Sequence, residues 1–415
     1  VLKYFDNAAT SFPKPPSVAT AMYRFMTENG APGRGTYSSA RDAGRLIVQC
    51  RERINRLING AEPNNVIFTH NTTDALNLAI KGVMEAARLA SRTRKLHIVS
   101  TSMEHNSVLR PVNALIQRVG GVEWTKVDVN PSTGLVDPSD VRRAIRPGET
   151  ALVAVNHASN VTGTIQPVGE VGRFCRELDV LYLVDGAQSL GHTLVDVATM
   201  NIDLLAFPGH KGLLGPTGTG GLYLRPGIER RVATVREGGT GSVSEQEVHP
   251  TAMPDRYEAG SHNTVGIAGL SEGVAWLLER GVERVRAHEI ELMRPLLEAI
   301  DRDELGGFVL LGSRHAADRV GVFSFTHESI EPQEAAVLLE NGFGILSRAG
   351  LHCAPLAHRA FGTAPPLGKG AVRLSFGPFT TLEDVRCAVA ALAEIGDSQR
   401  GHPTTQPVGQ HAAKR

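Results

Sequence analysis

From Val66 onward, short runs of β-branched and apolar residues alternate with longer amphipathic stretches, and this alternation restricts the possible fold more than any other property of the chain. VIFT from Val66, LHIVS from Leu96, VEWTKV from Val122, ALVAV from Ala151, LYLV from Leu181, LLAF from Leu204 and GLYL from Gly221 have the length and composition of strands. Helical patterns lie between most of them: Asp74 to Leu89, Ser107 to Val119, Pro138 to Ile145 and Val168 to Leu178. Strand and helix in turn predict an α/β fold built on a mainly parallel, seven-stranded sheet with helices on both faces.

Beyond roughly Gly269 the pattern changes. A helical segment from Leu270 to Asp301 leads into short strands at Val320 to Phe325 and Ala371 to Phe376, with two further helical stretches. A second, smaller α+β domain is expected. The organisation read from the sequence is a large domain over 16–268 and a small domain over 1–15 and 269–395. A polar tail over 396–415 lacks apolar periodicity and is expected to be disordered.

The chain has 415 residues, with 43 Lys plus Arg against 43 Asp plus Glu, so no net field attracts nucleic acid or an anionic membrane. Its four cysteines, Cys50, Cys175, Cys353 and Cys387, are too widely spaced for a disulfide framework. No apolar run reaches transmembrane length, and VLKYFDNAAT lacks the pattern of a signal peptide. The expectation is a soluble cytoplasmic protein whose partners are small molecules and specific proteins. No metal site is expected.

Chemistry-bearing residues gather where strands end, which in an open α/β sheet is where ligands bind. Asp185 closes LYLV, and Lys211 follows LLAF in the glycine-rich stretch PGHKGLLGPTG. Alone, the first suits a turn or helix cap and the second a solvated loop. After VIFT, Asn71, Thr72 and Thr73 open a helix whose apolar face begins at Ala75. Free N–H groups and hydroxyls at a helix start suit a phosphate, and equally an ordinary N-cap. Together, a phosphate anchor, an acid and an amine match what pyridoxal phosphate (PLP) requires. His105, after LHIVS, is placed to stack on such a cofactor or to move protons.

Read in order, DNAATSFPKP, THNTTDALNLAIKG, MEHNSVLRP, NHASNVTGT, VDGAQSLGH, GHKGLLGPTGTGGLY, YEAGSHNT and RAGLHCAP resemble the successive blocks of class V PLP enzymes, cysteine desulfurases in particular. The resemblance runs from Asp6 to about Ala390 and implies PLP fold type I. By resemblance, Lys211 is the Schiff-base lysine, Asp185 the partner of the pyridine nitrogen, Gln188 the partner of the phenolic oxygen, and His105 the residue over the ring. Thr72, Thr73 and His210 bind the phosphate, and Asn160 lies near the phenolic oxygen and substrate carboxylate. Ser261 stands where the family's second subunit reaches the phosphate, which implies a homodimer with shared sites. Two departures stand out: Pro208 occupies a position often held by serine, and Ser261 one more often held by threonine.

The segment ILSRAGLHCAPLAHRAFGT addresses sulfur. Pro355 is well placed to open a helix, which would set Cys353 at a positive dipole end and near His352, two influences expected to favour thiolate. An inert buried thiol is the commoner fate of a cysteine, and it is assigned to Cys50, Cys175 and Cys387. In AVRLSF, Val372, Leu374 and Phe376 share one face and leave Arg373 on the other, either solvated or offered to a carboxylate. The pattern R-x-G-x-H-C-A-P resembles the desulfurase group of SUF-type iron–sulfur assembly and gives Arg348 and Arg373 substrate or loop contacts.

The expected activity is therefore conversion of L-cysteine to L-alanine, with sulfur passed through a Cys353 persulfide to a protein acceptor, for iron–sulfur cluster or other sulfur-containing cofactor biosynthesis. Selenocysteine lyase, or another class V aminotransferase or epimerase, would share Lys211 and Asp185. A non-enzymatic scaffold would share only the sheet.

Overall fold

The computed structural model describes residues 2–30, 35–91, 95–118 and 120–400. The chain opens with a two-residue strand, β1 (Lys3–Tyr4). Seven strands follow at the positions the sequence predicts: β2 (Val66–Thr69), β3 (Leu96–Thr101), β4 (Val122–Val127), β5 (Thr150–Asn156), β6 (Leu181–Asp185), β7 (Leu204–Pro208) and β8 (Gly220–Leu224). They form one sheet in the order β2-β8-β7-β6-β5-β3-β4. β8 pairs antiparallel with both β2 and β7, and the other pairings are parallel. Every residue of β5, β6, β7 and β8 is buried, as expected where helices cover both faces.

One face packs on the helix Thr72–Ala90 through Leu76, Ala79, Ile80 and Val83. The other meets the helices Ser38–Leu57, Val168–Glu177 and Thr264–Arg280 through Ile54, Val171, Leu270 and Val274. The smaller sheet holds β9 (Val309–Leu310), β10 (Val322–Thr326), β12 (Arg348–Gly350) and β13 (Ala371–Ser375) in the order β12-β13-β10-β9. Its core of Phe323, Phe325, Leu374 and Phe376 packs with Leu292, Leu296 and Leu392 from two helices. β11 (Ile345–Leu346) pairs in parallel with β1 and draws the N-terminus onto this part of the molecule. Among the described residues, no helix is long and apolar enough to cross a membrane.

Three expectations need correction. The segment Leu270 to Asp301 is not one helix but the end of Thr264–Arg280 and the whole of Val282–Asp301, because Gly281 adopts φ +83° and breaks the run. The core of the large sheet takes in Leu270, Val274 and Leu277, beyond the expected boundary at 268/269. The tail does not begin at 396, since the last helix runs from Leu382 to Arg400. Gly396 lies so close to Gly306 that an added Cβ would meet its carbonyl oxygen at 2.3 Å, and Ile395 is buried. Residues 401–415 lie outside the described residues.

Candidate active site

The carboxyl ends of β2, β3, β5, β6 and β7 open onto one cleft. Its lining brings together Thr72, Thr73, His105, Asn160, Asp185, Gln188, His210 and Lys211, with Ser107 and Asn156 added. It holds a cavity of about 190 Å³ that opens to solvent. Residues 72 to 211 in sequence meet here because successive crossovers return each strand's end to the same edge of the sheet.

Asp185 ends β6, is 5% exposed, and accepts the Ala187 N–H on Oδ1 at 3.0 Å. Burial pushes its carboxyl up to about 6, against that hydrogen bond and the charge of Lys211. Lys211 follows β7. Burial is the main cause holding its amine down to about 8, and Arg373 and Arg348 lower it further. An amine with that value has a usable neutral fraction near pH 7, which a nucleophilic lysine needs. Gln188 is fixed by its Nε2–H donated to the Ala8 carbonyl at 2.9 Å.

Two helices start at this cleft, Thr72–Ala90 and Asn106–Arg118. Asn71 caps the first through Oδ1, which accepts the Asp74 N–H at 2.9 Å. Thr73 Oγ1 lies 2.8 Å from Ser107 Oγ, which lies 2.9 Å from His105 Nδ1. Burial above all, then Lys211, takes His105 down to about 4, so its ring is neutral at physiological pH. His210 is likewise lowered to about 4 by burial and by Lys211 and Lys14, and its buried Nδ1 has no partner. Two helix starts, three hydroxyl-bearing side chains and a free imidazole nitrogen fit a phosphate. Asp185 and Lys211 beside them fit the pyridine nitrogen and the carbonyl of PLP.

Arg373 is 2% exposed rather than solvated. Its Nη2 donates to Asp6 Oδ1 at 2.7 Å and its Nη1 to the Asn160 carbonyl at 3.0 Å, while its buried Nε has no partner. A buried cation with one free donor is suited to a carboxylate. Asn160 in turn donates Nδ2–H to the His352 carbonyl at 2.6 Å. Arg348 faces Arg373 across the β12/β13 pairing, with an exposed side chain.

Cys353 is exposed, on a loop in which His352 and Cys353 both have positive φ (+50° and +58°). Its carbonyl accepts the Asn106 N–H at 2.8 Å, which ties the cysteine loop to the residue following His105. Pro355 does open a helix, Pro355–Ala360, with Ala354 between it and the cysteine. The expected help from His352 fails. That ring is buried against His358, its Nδ1 3.4 Å from Nε2, and burial drives it down to about 2, so it carries no positive charge to the thiol.

Ser261 is not brought to the cleft of its own chain; it lies exposed in a separate hollow with His70, Arg236 and Asn263. Ser107, in the lining of the cleft, and Asp6, on Arg373, are not among the residues that the sequence motifs single out. A hydroxyl in the first helical turn two residues after His105 was a usable signal for the first. Nothing local marks Asp6, which reaches Arg373 because the segment after β1 bridges directly to Ser375 of β13.

A mostly parallel seven-stranded sheet with one reversed strand, and a lysine and an aspartate at adjacent strand ends, define PLP fold type I. The chain belongs to the aminotransferase class-V family, whose model matches residues 3–387. It is 34% identical over 398 residues to a probable cysteine desulfurase of Methanothermobacter thermautotrophicus, covering 94% of each chain. It is 31% identical to the cysteine desulfurase IscS of Methanosarcina thermophila, covering 97% of this chain and 94% of that one. The cysteine desulfurase of Thermococcus onnurineus NA1 superposes with a TM-score of 0.86 at 32% identity, over 96% of this chain and 95% of that one. The Escherichia coli cysteine desulfurase CsdA gives a TM-score of 0.79 at 26% identity, over 94% of each chain.

Proposed function

We propose that this chain is a PLP-dependent cysteine desulfurase that converts L-cysteine to L-alanine and carries the sulfur as a persulfide on Cys353. The observation that carries this reading is the 2.8 Å hydrogen bond from Asn106 N–H to the Cys353 carbonyl. It ties the loop that carries an exposed thiol to the residue after His105, and His105 lines the cleft with Lys211 and Asp185, which supports the reading. The related cysteine desulfurases lend the same activity to the chain.

Lys211 would hold the cofactor covalently through its amine, and Asp185 would keep the ring nitrogen protonated. Thr72, Thr73, His210 and the helix starts would hold the phosphate, and Gln188 and Asn160 the phenolic oxygen. When bound, PLP supplies an electron sink for charge developing at the substrate Cα. Arg373, with Arg348 at the rim, receives the substrate carboxylate. Lys211 moves the Cα proton, and His105, neutral at working pH, is available as a second proton carrier. The Cys353 thiolate attacks the substrate sulfur: an S–S bond forms as the Cβ–S bond breaks, and the carbon takes a proton to become the methyl group of alanine. The persulfide sulfur then passes to a protein acceptor, for iron–sulfur cluster or other sulfur-containing cofactor synthesis.

In the same reading the enzyme is a cytoplasmic homodimer, and Ser261 of each subunit completes the phosphate site of the other. The first fifteen residues and those beyond the large-sheet core form the small domain bearing the cysteine loop.

The test is mass spectrometry of Cys353 after incubation with L-cysteine, alongside alanine production. Wild type should gain one sulfur on Cys353, and Cys353→Ser should stay yellow but lose both persulfide and turnover. Undiminished alanine production by Cys353→Ser would sink the assignment.

A further inference from the structure

The segment that follows β1 meets three residues of the site in turn. Asp6 accepts from Arg373, the Ala8 carbonyl accepts the Gln188 Nε2–H at 2.9 Å, and the stretch from Thr10 to Lys14 closes on the peptide that joins His210 to Lys211. Four donors of this stretch surround the His210 carbonyl oxygen: Thr10 Oγ1 and the Ser11 N–H at 3.0 Å, Ser11 Oγ at 3.1 Å and Lys14 Nζ at 3.3 Å. A carbonyl oxygen offers two lone pairs, so the four compete.

Lys14 decides how they are arranged. Its ammonium has three hydrogens and no acceptor. Its shortest contacts are with Ser11 Oγ at 2.9 Å and the Ser11 carbonyl at 3.0 Å. At Ser11 Oγ the lysine must be the donor, which leaves the hydroxyl's own hydrogen for the His210 carbonyl. Ser11 is 4% exposed, so bulk water competes little for that hydrogen. Burial lowers the Lys14 amine to about 8, which leaves it an ammonium at pH 7.

The backbone on either side of this peptide is held as well. The Gly209 N–H donates to the Thr219 carbonyl at 2.8 Å, and the Lys211 carbonyl accepts the Leu214 N–H at 2.9 Å. Between them, the hydrogen bonds to the His210 carbonyl come from Thr10, Ser11 and Lys14. The Lys211 amine sits on a flexible stem, so the peptide at its root is where the fold can set its reach. An amine that must meet a reacting carbon tolerates little displacement, and an error of about 1 Å costs on the order of a hundredfold in rate.

We propose that Lys14 is a positioning residue for Lys211: through the Ser11 hydroxyl it fixes the His210 carbonyl, and with it the point from which the Lys211 amine reaches the cofactor and the substrate Cα. The proposal rests on the reading of this cleft as a PLP site. It gives the two ends of one segment different work. Asp6 bears on substrate binding through Arg373, and Lys14 on the lysine that moves the proton.

Lys14→Met, Ser11→Ala and the double variant test it in the holoenzyme. Methionine keeps an unbranched stem and removes the donors; alanine removes the hydroxyl oxygen alone. PLP is achiral, so its visible circular dichroism per bound cofactor reports how firmly the protein fixes it. Lys14→Met should still bind PLP but give a weaker dichroism, with kcat down about tenfold and KM for cysteine within about twofold of wild type. Ser11→Ala should shift both readouts the same way. Because the two side chains act on one carbonyl, the double variant should lose no more than about tenfold, whereas independent roles would multiply to about a hundredfold. Wild-type kcat or wild-type dichroism in Lys14→Met overturns the proposal, as does a loss carried by KM alone. A double variant down by about a hundredfold overturns the relay through Ser11. If Lys14→Met fails to fold, Ser11→Ala decides by the same two readouts. A wild type that stays colourless with added PLP defeats the cofactor reading and this one with it, whereas a yellow wild type whose dichroism is untouched in the variants defeats this one alone.

Discussion

The Arg373 guanidinium meets the Asp6 carboxylate at 2.7 Å across 367 residues of sequence. Asp6 follows β1, Arg373 lies in β13, and the third partner, the Asn160 carbonyl, lies on the loop after β5. One buried cation thus joins the N-terminal segment, the small sheet and the wall of the cleft. Asp6 neutralises a charge that would otherwise be costly to bury, and the buried Nε is left without a partner.

Asp6→Ala should therefore be more damaging than its half-exposed position suggests. It leaves Arg373 buried without its counter-charge, a change worth about 3 kcal/mol in global stability by urea unfolding. Its kinetic signature should be a raised KM for cysteine with kcat less affected, because the bound carboxylate partly restores the missing anion. Asp6→Asn keeps an acceptor and should fall between the two. Arg373→Lys cannot hold Asp6, Asn160 and a substrate at once, and should lower kcat/KM by about a hundredfold.

The four cysteines should separate cleanly towards an alkylating reagent. Cys353 is exposed and Cys387 partly so, while Cys50 and Cys175 are buried. Burial pushes the Cys50 thiol up to about 12 and raises Cys175 further. Peptide mapping after brief iodoacetamide treatment should find label on Cys353 first, with loss of activity in proportion. Cys50 and Cys175 should react only in denaturant, and Cys387→Ser should change neither colour nor turnover.

Acid should destabilise the fold partly through buried histidines. His157 is 3% exposed, its Nδ1 has no partner, and burial lowers it to about 4 from 6.5. Between those values the unfolded chain takes a proton that the folded one refuses, so this residue's contribution falls as pH drops through the window, by about 1.4 kcal/mol per pH unit. Asp185 and Glu104 act in the opposite sense, since burial raises both. Comparing wild type with His157→Gln isolates the term: unfolding at pH 5 should release the variant from about one bound proton of linkage. Equal pH dependence in the two proteins would refute it.

How much of this was legible in the sequence depended on range. Strand runs ending in Asp185, or followed within a few residues by Thr72, His105 and Lys211, are local patterns, and the sheet carries all of them to one edge. Gly281 breaks a helix inside an apolar period that continues on either side, so the break shows only as a backbone angle. The nearness of His352 to Cys353 is visible in the sequence, whereas the burial that keeps its ring neutral is not. Asp6 owes its place to a partner on another strand, and no spacing within its own segment announces it.

Ser261 provides the sharpest test of a shared active site. It lies exposed and away from Lys211 of its own chain, so its expected contact with phosphate requires a second subunit. Ser261→Glu would place a negative charge against that phosphate and should abolish PLP binding in a homodimer of the variant. Lys211→Ala should be inactive for a different reason, the missing amine. In a mixed dimer, the cleft with Lys211 from the first variant meets Ser261 from the second and is whole, while the other cleft carries both defects. Unfolding and refolding the two together should restore about a quarter of wild-type activity, since half of the dimers are mixed and each has one good site of two. Each variant refolded alone should remain inactive. A mixture that also remains inactive, with sedimentation showing that dimers have formed, would place Ser261 outside the site.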